Sequence, residues 1–262
     1  MTMTMTKAES QRRSVLLLKT PDAKYEEAFR TAPPPESALS FDVHFTDVLT
    51  FEYLNADKLR DVLLHLADYS VLLVTSSRAG IAIRRVIDVL SEEQRKQVVA
   101  ALQAITVLSV GKATSRELEC FDVQCKGDDC GSAEVMIQHI FEDGFLPTSV
   151  QTKPTVFLCG DKRRDTLPEN FKARGLPFQE LTVYQTCAVS DFHLPDACQH
   201  PDWVVYFSPS GIKATRSISY PWHEVRKAAI GEWKAENVVA PKPDATSLAA
   251  VITEFEISNG VR

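Results

Sequence analysis

The chain lacks most of the features that assign a protein at first sight. No run approaches the roughly 20 apolar residues of a membrane span. Its six cysteines, Cys120, Cys125, Cys130, Cys159, Cys187 and Cys198, form no Cys-x-x-Cys pair and have no histidine at ligand spacing. That argues against a structural metal site and for reduced thiols in a cytosolic protein. No Gly-x-Gly-x-x-Gly follows a strand and no Gly-x-x-x-x-Gly-Lys-Ser/Thr occurs, so dinucleotide and nucleotide binding lose their best support. The six histidines are scattered, and neither a Cys/His nucleophile pair nor a serine elbow is present. Cations are in deficit, 29 Lys and Arg against 35 Asp and Glu for a net charge of -6. A nucleic-acid binder usually shows the opposite balance. The simplest reading is a protein without metal, cofactor, nucleic-acid or membrane partner.

What remains is a globular composition, 44% hydrophobic and 24% charged over 262 residues, with room for one large domain or two ordinary ones. Residues 1–13, polar after a Met-Thr repeat, read as a flexible tail without the apolar block of a secretory signal, consistent with a cytoplasmic location. The apolar runs Ser14–Lys19, Val71–Thr75, Ile105–Val110, Thr155–Leu158 and Trp203–Phe207 are short and continuous rather than alternating. They predict strands covered on both faces, as in parallel sheets. Helical periodicity over Ala79–Leu90 and Ala133–Phe141 completes an α/β pattern.

The chain also repeats itself. LLVTSSRAGI (72–81) is answered by VVYFSPSGI (204–212), VLSVGKAT (107–114) by AAIGEWK (228–234), and DDCGSAEVMI (128–137) by PDATSLAAVI (243–252). Residues 15–53 read as strand, helix and strand, with Phe41–Tyr53 as the last strand, and 155–187 read likewise. Two similar α/β domains follow from the duplication. Spacing leaves two arrangements open: contiguous halves, or an outer pair of segments forming one domain around an inner one. The second needs crossings near 45–53 and 181–188, where LTFEY and LTVYQT are β-prone enough to pair as a two-stranded bridge.

Candidate chemistry gathers after strand ends, where open α/β sheets bind ligands. Thr75, Ser76 and Ser77 follow one strand, with Arg78 next; Ser208, Pro209, Ser210 and Gly211 follow its repeat. Helix N-termini there suit carboxylate or phosphate, although N-capping alone explains either turn. Gly111, Lys112 and Thr114 make a third turn, and Gly131, Ser132 and Glu134 read as a helix start after Cys130. Gly160 ends a strand and leads into Lys162, Arg163 and Arg164, either a solvated basic face or donors for an anion. Tyr184 is either a half-buried strand aromatic or a phenol able to give up a proton.

In their order and spacing, VTSSRAGI (74–81), SVGKAT (109–114), DDCGSAEVM (128–136), FLCGDKRRDTLP (157–168), LTVYQT (181–186), YFSPSGI (206–212) and AAIG (228–231) resemble the uroporphyrinogen-III synthase family, from about Ser14 to Ile252. The resemblance implies a HemD-like fold of two parallel-sheet α/β domains joined by a two-stranded β-ladder, the active site lying in the cleft between them. One domain is discontinuous, 14–48 with 188–262, and the other is 49–187. It also implies a monomeric enzyme without cofactor that converts the linear tetrapyrrole hydroxymethylbilane to uroporphyrinogen III, losing water and inverting the last ring. Tyr184 matches the tyrosine of the family's Val-Tyr-x-Thr motif and is the candidate acid for hydroxyl departure. Ser76, Arg78, Gly111, Lys112, Thr114, Gly131, Ser132, Gly160, Arg164, Ser208, Ser210 and Gly211 are the candidates for holding substrate carboxylates, and Lys213 adds a cation. One stretch departs from the family pattern: Gly231 is followed by Glu232, Trp233, Lys234 and Ala235, where Pro-Thr-Thr-Ala and a full helix are usual. Glu232 places negative charge where a polyanion approaches, which motivates the alternative of a tetrapyrrole-binding or regulatory homologue with impaired catalysis.

Overall fold

Short apolar runs become buried parallel strands, each leading through a capped turn into a helix. The computed structural model describes residues 11–230 and 237–259; Glu232 and most of the departing turn lie outside the described residues. In chain order the first elements are β1 (Gln11–Leu17), α1 (Ala23–Thr31), β2 (Leu39–Phe45) and β3 (Leu49–Tyr53). There follow α2 (Ala56–Leu64), β4 (Val71–Val74), α3 (Ser77–Asp88), α4 (Glu92–Ala104), β5 (Thr106–Ser109), α5 (Lys112–Glu119), β6 (Cys125–Lys126) and α6 (Ala133–Glu142). Then come β7 (Thr155–Gly160), α7 (Thr166–Ala173), β8 (Phe178–Ala188), β9 (Trp203–Tyr206), α8 (Pro209–Thr215), β10 (Arg226–Ile230), β11 (Val238–Ala240) and α9 (Ala245–Asn259).

The chain divides into two compact units at Thr50/Phe51 and Thr186/Cys187. The terminal unit holds a sheet in the order β11-β10-β9-β1-β2, and the central unit a sheet in the order β3-β8-β7-β4-β5-β6. Within the terminal sheet the pairings are parallel, as they are from β8 through β6 in the central one. Apart from β3 the two orders correspond strand for strand, so the repeated sequence segments fold as repeated topology. In both, one strand-helix-strand segment lies to one side of a crossover and the remaining strands to the other.

The stretch expected as one strand, Phe41–Tyr53, is two. β2 ends at Phe45, Thr46 N donates to Leu17 O, and Val48 is fully buried before β3 joins the other sheet beside β8. The ladder partner changes at this point, and strand propensity carries no record of partners. Helix α3 starts two residues earlier than its periodicity suggests, because Ser76 caps it by accepting from Arg78 N at 3.2 Å. Its buried face, Ala79, Ala82, Ile83, Val86 and Ile87, packs with Leu72, Val74, Val156 and Leu158 of the sheet.

In the terminal unit, α9 covers the sheet through Leu248, Ala249 and Ile252. Its last turns bury Glu256, whose side chain is 3% exposed. That carboxylate accepts from Trp203 Nε1 at 2.8 Å, from Arg13 Nε at 2.8 Å and from Arg226 Nη1. One side chain therefore ties the final helix to β1, β9 and β10. Buried charge requires such partners.

Candidate functional site

Connections in the central sheet run one way from β4 through β5 to β6 and the other way from β7 to β8. The reversal falls between β4 and β7, and in open parallel sheets the crevice beyond such a point is the usual ligand site. Three of the expected residues meet there. Ser76 follows β4, Gly160 ends β7, and Tyr184 stands in β8. The Tyr184 hydroxyl donates to Ser76 Oγ at 3.1 Å. Ser76 Oγ therefore accepts twice, from the phenol and from Arg78 N–H, which leaves its own proton available to a third group.

Arg78, the second residue of α3, lies with Cζ 3.5 Å from the centroid of the Phe51 ring, and Phe51 in turn meets Tyr184 edge-on at 6.2 Å. A guanidinium over a ring keeps its in-plane donors directed outward. Arg78 has no carboxylate partner among the described residues, so it supplies a forked, unneutralised cation next to the phenol. Phe51 is the residue that sequence reasoning missed. The expected pairing of LTFEY with LTVYQT brings its strand beside that of Tyr184, as observed, but nothing in the sequence singles out the ring as the partner of Arg78 and Tyr184.

The other candidates in this unit divide by what they already do. Gly111 has φ +86°, a conformation glycine adopts freely, and precedes α5, whose first residue, Lys112, is exposed. Thr114 is buried and its hydroxyl donates back to Val110 O, so it braces the turn rather than reaching outward. Gly131 is exposed with φ +70°, and Ser132 caps α6 by accepting from Val135 N. The basic run is largely occupied. Arg163 engages Glu180 and Asp165, Lys162 donates to Thr186 O, and Arg164, 79% exposed, pairs with Glu134 at 3.2 Å.

In the terminal unit the corresponding reversal lies between β9 and β1. Ser208 caps α8 by accepting from Gly211 N at 3.2 Å, repeating the part that Ser76 plays in the central unit. Ser210 is half-buried and Lys213 exposed. Lys19, just past the end of β1, was not among the expected residues. Its ammonium lies 4.2 Å from the Tyr25 ring centroid and 2.7 Å from Asp22, and that bond, with Lys24 N–H, holds the Asp22 carboxyl below its ordinary range.

Nucleophilic thiol chemistry finds little footing in the buried cysteines. Burial pushes up the thiols of buried Cys130 and Cys159 and of half-buried Cys125, and that of Cys198 up to about 11, so they stay protonated near neutral pH. No group of three or more His, Cys, Asp or Glu side chains suited to a metal ion occurs among the described residues. Nor is any of their helices long and apolar enough to cross a membrane.

Residues 36–248 match the family model described as uroporphyrinogen-III synthase HemD. Curated relatives with the same function in their names come from Schizosaccharomyces pombe, 30% identical with 94% of this chain and 99% of the relative covered, and Saccharomyces cerevisiae, 29% identical with 92% and 96% covered. The fold is similar to the crystal structure of uroporphyrinogen-III synthetase from Helicobacter pylori, with TM-score 0.55, 15% identity and coverage of 95% of this chain and all of that one. It is also similar to a mutant uroporphyrinogen III synthase from Thermus thermophilus, with TM-score 0.51, 14% identity and coverage of 94% of this chain and all of that one. A family match over residues 36–248, with a relative 30% identical over nearly its whole length, places this chain in the uroporphyrinogen-III synthase family, the hydro-lyases of porphyrin biosynthesis.

Proposed function

We propose that this chain cyclises hydroxymethylbilane to uroporphyrinogen III with inversion of the last ring, and that the crevice holding Tyr184 and Ser76 is where the hydroxyl group leaves. The observation that carries the reading is the Tyr184–Ser76 hydrogen bond at the reversal point of the central sheet.

The chemistry asks little of acids and much of geometry. The departing hydroxyl needs one proton to leave as water, and the C–O bond electrons go with it, so the pyrrole-conjugated carbon becomes cationic. A phenol within reach supplies that proton as a general acid. For inversion the substituted carbon of the last ring attacks first, giving a spiro intermediate. Its old bond to the linking carbon then breaks, leaving that carbon cationic. The unsubstituted ring carbon bonds to it and loses the proton that restores the phenol. Because the bilane can close unaided to the uninverted isomer, the larger contribution is orientation of the chain's ends. Arg78 is the leading candidate to anchor a substrate carboxylate, since it is half-buried, unneutralised and next to the phenol. Lys112 and the capped turns at Ser132 and Ser208 offer further donors of the same kind, with Gly111, Gly131 and Ser210 contributing backbone rather than side chain, while the Gly211 N–H is already given to Ser208. Arg164 serves only by giving up Glu134. Local donors of this kind let an acidic chain hold a polyanion that its overall field does not attract.

The test is isomer-resolved chromatography of the product formed from hydroxymethylbilane. The type III isomer is expected; type I alone would refute the activity, and tight binding of uroporphyrinogen without turnover would favour the impaired homologue. Tyr184→Phe is expected to lower kcat roughly a hundredfold, the bottom of the range for general-acid effects, with the melting temperature unchanged. An unchanged kcat would remove Tyr184 from the mechanism.

A further inference from the structure

Gly160 is among the residues whose sequence position suggests a ligand-binding turn, yet the space above it is already taken. A Cβ built on Gly160 would lie 2.5 Å from Tyr184 Cζ, 2.7 Å from Cε2 and 2.7 Å from the hydroxyl oxygen. Those distances are well inside van der Waals contact, and the ring is not a flexible tip that swings aside cheaply. Gly160 also has no positive φ to explain it. Its hydrogen side chain is needed because the phenol ring rests on it.

The ladder explains why the ring is there. Pairing of β7 with β8 runs Leu158 with Leu181 and Cys159 with Thr182, then skips to Gly160 with Tyr184. Val183 is the extra residue of a β-bulge. Alternation along β8 would point Leu181 and Val183 to one face and Tyr184 to the other. Leu181 and Val183 do face the core under α3, and Tyr184 packs against that same core. The one-residue insertion turns the tyrosine onto their face, as a register slip does. There the hydroxyl meets Ser76 Oγ, itself held by its capping bond to Arg78 N.

We infer that Gly160 and Ser76 are positioning residues for Tyr184: the bulge at Val183 turns the phenol inward, the bare Cα of Gly160 seats its ring, and Ser76 fixes its hydroxyl. This rests on the reading of Tyr184 as the acid and deepens it, moving Gly160 and the Ser76 side chain from carboxylate binding to orientation of the phenol.

Steady-state kinetics on Gly160→Ala and Ser76→Ala, each alone and combined with Tyr184→Phe, test the inference. Positioning predicts that each single variant loses kcat to about the extent of Tyr184→Phe, with KM within about twofold, because groups acting as a unit are non-additive. In the Tyr184→Phe background neither change lowers kcat further, and Ser76→Thr recovers kcat relative to Ser76→Ala by keeping the hydroxyl. A rise in KM of similar size with and without the phenol would overturn the inference in favour of carboxylate binding, as would single variants with unchanged kcat. Tyr184→Phe at full activity would sink the acid assignment instead, so the two failures are distinguishable. Should Gly160→Ala not fold, the Ser76 variants decide alone.

Discussion

Glu256 is the side chain whose removal has the most calculable consequence. Changing it to Ala leaves the Trp203 indole N–H, fully buried, without its 2.8 Å acceptor, a loss of about 1–3 kcal/mol. It also strips the carboxylate from Arg13 and Arg226, whose side chains are 28% and 40% exposed. Those guanidiniums rehydrate in part, which keeps the total near the bottom of the ~3–5 kcal/mol typical of a broken buried pair. About 3 kcal/mol is therefore expected, a large share of the ~5–15 kcal/mol that keeps a domain folded. With ~2.1 cal/mol/K of unfolding entropy per residue, the whole chain would melt roughly 5–6 °C lower, and more if the terminal unit melts alone. Urea titration followed by tryptophan fluorescence reads the midpoint, and Trp203 itself reports the lost contact. Glu256→Gln keeps an acceptor for the indole and should lose about half as much. An Ala variant within about 0.5 kcal/mol of wild type would refute the reasoning. A Gln variant as unstable as Ala would show that the indole bond contributes nothing.

Two further perturbations follow from the packing. Gly80→Ala puts a Cβ 2.6 Å from Glu117 Cβ, where α3 meets α5. The helix-propensity gain of roughly 0.5–1 kcal/mol is then outweighed by overpacking of about 1–3 kcal/mol. Urea midpoints should show net destabilisation, and a stabilised variant would contradict the contact. Cys198 gives a pH effect whose sign is fixed. Burial raises its thiol from 9.0 to about 11 in the folded chain, so its contribution is complete below pH 9 and drains away as pH rises toward 11. Over that window wild type should lose on the order of 2–3 kcal/mol that Cys198→Ala does not. Parallel stability profiles for the two proteins across the window would count against the shift.

Much of the architecture was legible because parallel strands covered on both faces have a distinct sequence form. VLLVT and WVVYF carry no polar alternation, and the serines that follow them cap helices as their residue type predicts. What was not legible depends on partners. A crossing near 45–53 is one of the two arrangements that spacing leaves open, but Phe41–Tyr53 reads as one strand, and no residue at Thr46–Val48 marks where β2 ends and β3 begins. The run Lys162–Arg164 read equally well as anion donors or as a solvated face. Only the positions of Glu180, Asp165 and Glu134 show that Arg163 and Arg164 are paired. Gly160 is expected from sequence as a carboxylate-binding turn, and its place beneath the Tyr184 ring, like that of Phe51 beside it, is hidden for the same reason, since each matters through a neighbour distant in sequence.

The duplicated topology makes the asymmetry of the two units informative. Apart from the added β3, both sheets share one strand order, and in both a serine after the strand at the reversal point caps the next helix. The ladder that corresponds to β7–β8 is β1–β2, and it runs from Gln11–Leu39 to Leu17–Phe45 without a skipped residue. Lacking a bulge, β2 keeps strict alternation, and no side chain is turned inward at its carboxyl end in the way Tyr184 is. One inserted residue at Val183 and one absent side chain at Gly160 are enough to distinguish the central crevice from its counterpart. The repeated scaffold accounts for donors at strand ends in both units, and the local break in the repeat accounts for the inward-turned phenol in one of them.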